Sequence, residues 1–248
     1  VTLFHLVCRR QHRPLRIFIR ANALTAYDAV AANAPNKYAE RAVLTAARLN
    51  FFELKNYAKA EGYFIQLKQI TASQENKLEA MRGLLRCQYQ LQKWADAMEN
   101  AKELTAAKGS SADDKSLANM AIARSYQVGG DFGNAIASFK SVVQINKAAL
   151  AAEARYEIAA CYFQLNKLAD AEKSAFETIN KSGSYDYWVT KAYILLGDIY
   201  YRQKDYFNAK ATFQSIVDNT LNAELKNEAQ AKLNKVTDEE GQNSKVGN

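Results

Sequence analysis

The sequence predicts an all-α protein, an α-solenoid of tandem helix-turn-helix repeats. Three observations predict it. Alanine recurs at Ala60, Ala97, Ala135, Ala171 and Ala209, at intervals of 37, 38, 36 and 38 residues. Around each mark, apolar residues return three and four positions apart, the period of a helix with one face turned to a core. The 248 residues include only 2 prolines and 10 glycines, and good helix formers dominate, so long uninterrupted helices are favoured. Few runs show the β-branched alternation of strands.

Taken in order, residues 1–20 form an atypical basic segment, residues 21–236 the repeat array and residues 237–248 a polar tail. After Pro14 a helix is expected over 15–33, with Ile17, Ala21, Leu24, Tyr27, Val30 and Ala31 on one face and Pro35 closing it. This is the second half of a partial first repeat. Five full pairs follow, with helices near 37–54 and 57–70, 74–91 and 94–107, 112–128 and 131–145, 148–165 and 168–180, and 185–203 and 206–219. The links carry turn and cap residues: Thr71 to Ser73, Gly109 to Ser111, Lys181 to Ser184. Ser111 stands three residues before Asp114, the spacing of a capping box. A final helix over 222–236, with Ala229, Leu233 and Val236 on one side, suits the polar-backed cap that a solenoid needs.

Charge and cysteine usage exclude some functions. The formal charge is +7, but Arg9, Arg10, Arg13, Arg16 and Arg20 all lie in the acid-free first twenty residues. The remaining body is nearly balanced, which argues against a broad phosphate-binding surface and so against nucleic acid. Any nucleic-acid or membrane-surface binding would fall to that basic start. Cys87 and Cys161 occupy the same point of repeats two apart, too distant for a disulfide and placed as small buried residues. No run of about 18 apolar residues is present to span a membrane. VTLFHLV is short and precedes its arginines, the reverse of a secretory signal, and HLVC is a poor lipoprotein cleavage box. A truncated edge, a piece of a longer chain and an organellar transit sequence are all open for this start.

Aligned on the alanine marks, the residues four later are Phe64, Ala101, Phe139, Ala175 and Phe213, and those nine earlier are Phe51, Gln88, Tyr126, Tyr162 and Tyr200. Close helix crossings need a small residue on one side, with a large ring in the neighbouring gap. The pattern resembles the tetratricopeptide repeat over about residues 20–236. Tyr193, Leu196, Gly197, Tyr200, Ala209 and Phe213 form the clearest copy. The small residue expected eight positions into each repeat is Ala123, Ala159 and Gly197, but Arg48 and Leu85 stand there in the first two pairs. The resemblance implies a right-handed superhelix whose first helices line a concave groove. TAYDAVAANAPNKYAERAVLTAARL further resembles bacterial cell-envelope members, among them the Tol–Pal coordinator and outer-membrane assembly lipoproteins.

Catalytic signatures find no support. His5 and His12 lie in the basic start without metal-spaced partners. The kinase-like triplet in Gly129-Gly130-Asp131-Phe132-Gly133 sits in a hairpin turn, without the loops and lysine that kinase chemistry needs. Neither a Walker loop nor a nucleophile elbow occurs. No catalytic residue, cofactor or metal is expected. Groove positions carried over from the resemblance are Arg82, Arg86, Tyr89 and Gln90 in the second pair and Met120, Arg124 and Gln127 in the third. The fourth pair gives Tyr156, Phe163 and Gln164, and the fifth Asp198, Tyr201 and Arg202. Guanidinium forks beside rings suit an acidic or extended peptide. The asparagine-containing clamp of chaperone-tail-binding relatives is not reproduced. The expectation is a non-catalytic scaffold, monomeric or weakly oligomeric, that holds a peptide or helix of a partner protein. A periplasmic or outer-membrane-associated setting is favoured, with the cytoplasm as alternative. The alternative function is a regulatory or docking fragment of a larger enzyme or transport complex.

Overall fold

A computed structural model describes residues 24–34 and 36–246, with side chains to residue 241. The expected start of the first helix, Pro35, both histidines and the five clustered arginines lie outside the described residues. Those residues form helices joined by short links, with no strand among them. The chain divides into two compact units, Val1–Ser110 and Ser111–Asn248.

The first unit contains α1 (residues 24–32), α2 (Ala39–Arg48), α3 (Tyr57–Ile70), α4 (Gln74–Gln90) and α5 (Trp94–Ala106). α1 closes through Asn36, whose Nδ2 donates to the carbonyls of Val30 and Asn33, each at 3.0 Å. α2 does not continue as one regular helix to residue 54. It passes into a π-helical turn, Leu49–Glu53. That wider turn tucks Asn50 inside, where it is 1% exposed and its Nδ2 donates to the Ala46 carbonyl at 2.9 Å.

The second unit contains α6 (Ala112–Val128), α7 (Phe132–Ile145), α8 (Ala149–Gln164), α9 (Leu168–Lys181), α10 (Asp186–Arg202), α11 (Tyr206–Asn219) and α12 (Ala223–Val246). Ser111 and Asp114 form the reciprocal capping box that starts α6, with bonds of 2.9 and 3.1 Å. α12 runs ten residues past the end expected at Val236. Val236 is buried, and beyond it Glu240 pairs with Lys210 of α11 while Glu239 bonds the Tyr201 hydroxyl, so the helix still has partners on its last turns.

One turn design joins the two helices of every pair. Lys55, Gln92, Gly130, Asn166 and Lys204, each five residues before its alanine mark, have φ between 56° and 78°. The amide that follows each of them reaches back to the carbonyl of an earlier residue near the end of the preceding helix: Asn56 to Asn50, Lys93 to Gln88, Asp131 to Tyr126, Lys167 to Tyr162 and Asp205 to Tyr200, all at 2.9–3.0 Å. In the last four pairs this is the closing bond of a Schellman motif, and in the first, after the π-helical turn, the bond reaches one residue farther; both satisfy carbonyls that a helix end leaves without partners. Asn56, Asp131 and Asp205 then cap the next helix by accepting from the amide three residues on.

The five alanine marks are all wholly buried, as are Ala101, Phe139, Ala175 and Phe213, with Phe64 nearly so. In the first unit Ala47, Ala60, Phe64, Leu84 and Cys87 share one core cluster. In the second, Ala209, Phe213, Ile216, Leu225, Ala229 and Val236 join α11 to α12. The two departures from the small-residue position find different solutions. Arg48 turns outward to Glu79, leaving Ala46 and Ala47 to fill the interior. Leu85 is wholly buried, and the residue four after that pair's mark is Ala101 where its neighbours carry a ring, so large and small have exchanged sides. Cys87 and Cys161 are buried free thiols.

Candidate functional site

The first helices of successive pairs face one another within each unit, and their side chains tie them together. In the first unit Arg48 of α2 grips Glu79 of α4 through Nε at 3.1 Å and Nη2 at 2.8 Å, and Arg82 approaches the same carboxylate at 3.8 Å. Glu40 of α2 accepts from Asn76 at 2.9 Å and Thr71 at 2.8 Å, and these bonds, the one from Asn76 foremost, hold its carboxyl below the usual range. Arg86, one turn beyond Arg82, is exposed, and no carboxylate among the described residues pairs with it. Tyr89 meets Trp94 edge-on at 5.3 Å, and Gln90 is exposed.

In the second unit Arg124 of α6 is held between two carboxylates of α8, Glu153 at 2.9 Å and Glu157 at 2.7 Å. Its Nη1 donates to Gln127 Oε1 at 2.8 Å, and Gln127 Nε2 donates to Glu157 at 2.7 Å, closing a ring of bonds. This guanidinium is committed within the fold rather than open to an incoming acid. Met120 is buried, which makes it core rather than groove.

Farther along, α8 supplies Tyr156 and Phe163 to α10. Tyr156 lies 5.6 Å from Trp188, and Tyr187 stands edge-on to Trp188 at 5.0 Å. Lys191 lies 5.9 Å over the Tyr156 ring and pairs with Glu228 of α12 at 3.2 Å. Burial first, and then nearby carboxylates, push the Tyr156 hydroxyl upward from its ordinary value, so it stays neutral. Arg202 is exposed, stacks 4.0 Å over Phe163 and donates to that residue's carbonyl at 3.3 Å. Asp198 bonds Lys232 of α12 at 2.7 Å, yet burial dominates and raises its carboxyl above the ordinary range. Tyr201 lies 6.2 Å from Tyr206 with Lys235 5.0 Å over its ring, and Gln164 is exposed. Trp188, Tyr187, Lys191 and Glu228 were not singled out from the sequence. They sit in the first two turns of α10 and α12, at positions the repeat pattern does not mark.

No group of three or more His, Cys, Asp or Glu side chains among the described residues could hold a metal ion. No described helix is long and apolar enough to cross a membrane.

Helical hairpins stacked through buried alanines define the class: an α-solenoid repeat protein. Residues 120–187 and 191–219 each match a family model described as tetratricopeptide repeat. No curated protein matches the chain. Among solved structures, it resembles a thermophilic tetratricopeptide-repeat protein of Thermus thermophilus, with 20% identity over 78% of this chain and 98% of that one and a TM-score of 0.51. A tetratricopeptide repeat protein of Parabacteroides merdae gives 18% identity, 90% and 79% coverage and a TM-score of 0.51. Yeast Tom70 gives 16% identity, 88% of this chain against 43% of that one, and a TM-score of 0.57. At these identities the likeness is one of fold. Repeats of this family generally serve as protein–protein interaction scaffolds.

Proposed function

We propose that this chain is a non-catalytic scaffold whose first-helix faces bind a peptide or helix of a partner protein. The observation that carries this reading is the second unit's row of rings, exposed at Tyr187 and partly buried at the others, with one exposed cation on facing helices: Tyr156 and Phe163 on α8, Tyr187, Trp188, Tyr201 and Arg202 on α10. Aromatic and arginine side chains dominate protein-binding hot spots because they bury much area at little entropic cost. A groove prepared by rigid helices also loses little ordering entropy on binding. Within this reading Gln164 borders the second unit's site, while Arg124 and Gln127 hold α6 against α8. In the first unit Arg86 and Tyr89 supply a smaller face, with Arg82 beside them.

We place the scaffold in a bacterial envelope complex, on the resemblance of residues 25–49 to envelope members. Fractionation of the native cells checks this: recovery with the cytoplasmic fraction alone would remove the envelope from the reading. A second reading, a docking part of a larger assembly, is favoured by the match to yeast Tom70, which takes in less than half of that chain.

The experiment is affinity capture from native cells with wild-type protein and with R86E and R202E, singly and together. Both arginines are exposed and neither belongs to a core, so far-UV circular dichroism should not change. Recovery of the main partner should fall about tenfold in at least one variant. Equal recovery with all variants would remove the first-helix faces as the binding surface.

A further inference from the structure

Charge on the first-helix face of the second unit is almost entirely compensated. Arg124 answers Glu153 and Glu157, Lys191 answers Glu228, and Lys232 answers Asp198. Between these pairs lies a shelf of three rings, Tyr156, Trp188 and Tyr187, with centroids 5.6 and 5.0 Å apart. Tyr187 is 42% exposed, and Trp188 is partly so. Resting on the reading of this face as the partner site, we infer that the shelf anchors an uncharged partner segment carrying an aromatic or large aliphatic side chain, not an acidic one.

Two arguments select that occupant. First, Lys191, the cation over the Tyr156 ring, is already bound to Glu228, so an incoming carboxylate would have to break a part-buried pair to reach it. Second, the carboxylates around Tyr156, those of Glu157, Glu228 and Asp198, are each already matched by Arg124, Lys191 or Lys232, so an incoming carboxylate would give up its water there without meeting an unmatched counter-charge. An apolar side chain meets neither cost, and removing ring surface from water favours it by about 25 cal/mol per Å². Phe163 with Arg202 lies seven residues farther along α8, about 10 Å away at helical rise, and is the place on this face where a single carboxylate fits.

The test is selection of a random dodecapeptide display library on the full chain, repeated with W188S, Y187S, W188F and R202E. The wild type should enrich peptides with a large apolar or aromatic residue and no excess of acids. Affinity of the enriched peptides should fall about tenfold in W188S and stay within about threefold in W188F, as an anchoring ring requires. It should change little between about 0.05 M and about 0.5 M salt. An acidic consensus that survives W188S and is lost in R202E overturns this inference while leaving the scaffold reading in place. Absence of any consensus on the wild type overturns it too, and the capture experiment then judges the scaffold reading separately.

Discussion

The Phe213 ring occupies the space that a Cβ on Gly197 would need: an added methyl would meet its Cε1 at 2.5 Å. Glycine inside a helix costs about 1 kcal/mol relative to alanine, so its presence at the middle of α10 requires a reason. The ring is that reason, since Phe213 is wholly buried and cannot swing away. Gly83 and Phe64 repeat the relationship, with the methyl at 2.3 Å, between the second helix of one pair and the first helix of the next.

Gly197→Ala should therefore destabilise the protein by about 1–3 kcal/mol, overpacking outweighing the gain in helix propensity. Gly62, inside α3, is exposed and has nothing within 4 Å of an added Cβ. Gly62→Ala should stabilise by about 0.5–1 kcal/mol. Urea midpoints of the two variants measure the contrast. A stabilised Gly197→Ala would mean that the ring does not set this position.

The hairpin turns make a second prediction. Lys55, Gln92 and Lys204 are exposed residues held in the left-handed region, with φ of 56°, 56° and 64°. That conformation costs a non-glycine residue about 1–2 kcal/mol, partly offset in glycine by its greater unfolded freedom. Replacing each by glycine should stabilise by about 0.5–1 kcal/mol, and Gly130→Ala, at φ 78°, should cost about 1 kcal/mol. Thermal scans of the four single variants test the set, and no change in any would show that these turns relax freely.

The alanine marks and rings were readable because their spacing follows from the need to cross helices closely, and Ala60, Ala97, Ala135, Ala171 and Ala209 all lie in the interior. The turns were only half readable. Gly130 signals a left-handed residue, but Lys55 and Gln92 do not, since only the closing bond that follows them imposes it. The π-helical turn at Leu49–Glu53 left no sign in a pattern of three- and four-residue steps. On the candidate face, Arg124 could be placed on its helix but not paired. Its partners Glu153 and Glu157 lie 29 and 33 residues away, and their approach depends on how α6 and α8 stack. The shelf of Tyr156, Trp188 and Tyr187 was hidden for the same reason.

Arg124 also carries a stability prediction. Glu157 retains 7% of its side-chain exposure, so removing its cation leaves a nearly buried carboxylate without a counter-charge. Arg124→Gln should cost about 3–5 kcal/mol. Glu157→Gln added to it should recover part of that loss, with a coupling of about 0.5–3 kcal/mol in a double-mutant cycle by urea unfolding. The exposed pair Lys181–Glu177, at 60% and 45% exposure, should contribute no more than about 0.5 kcal/mol when cut by Lys181→Ala. Equal costs at the two sites would show that the Arg124 network is a surface pair in energetic terms.

The buried thiols predict how stability depends on alkaline pH. Burial, reinforced by the Glu61 carboxylate, pushes the Cys87 thiol up to about 12 from an ordinary value near 9.0. Burial does the same to Cys161, raised to about 12, with Glu157 adding to it and Arg124 opposing. Tyr63, partly buried and donating its hydroxyl to Asp28, is likewise raised to about 12 from 10.0. In each case the folded state keeps the proton that the unfolded state gives up first. Their contribution is complete below the unfolded values and is lost as pH climbs from about 9 toward about 12, because there the unfolded chain binds fewer protons. Urea midpoints should be flat from pH 7 to about 9 and fall above it, and the fall should be shallower in Cys87→Ala with Cys161→Ala. In a Cys8→Ser background the two thiols should also resist a thiol reagent at pH 8 in the native protein and react fully in urea, since the thiolate is the nucleophile. Rapid native labelling of either cysteine, or an alkaline limb unchanged by the double substitution, would show that these thiols are not held protonated by the fold.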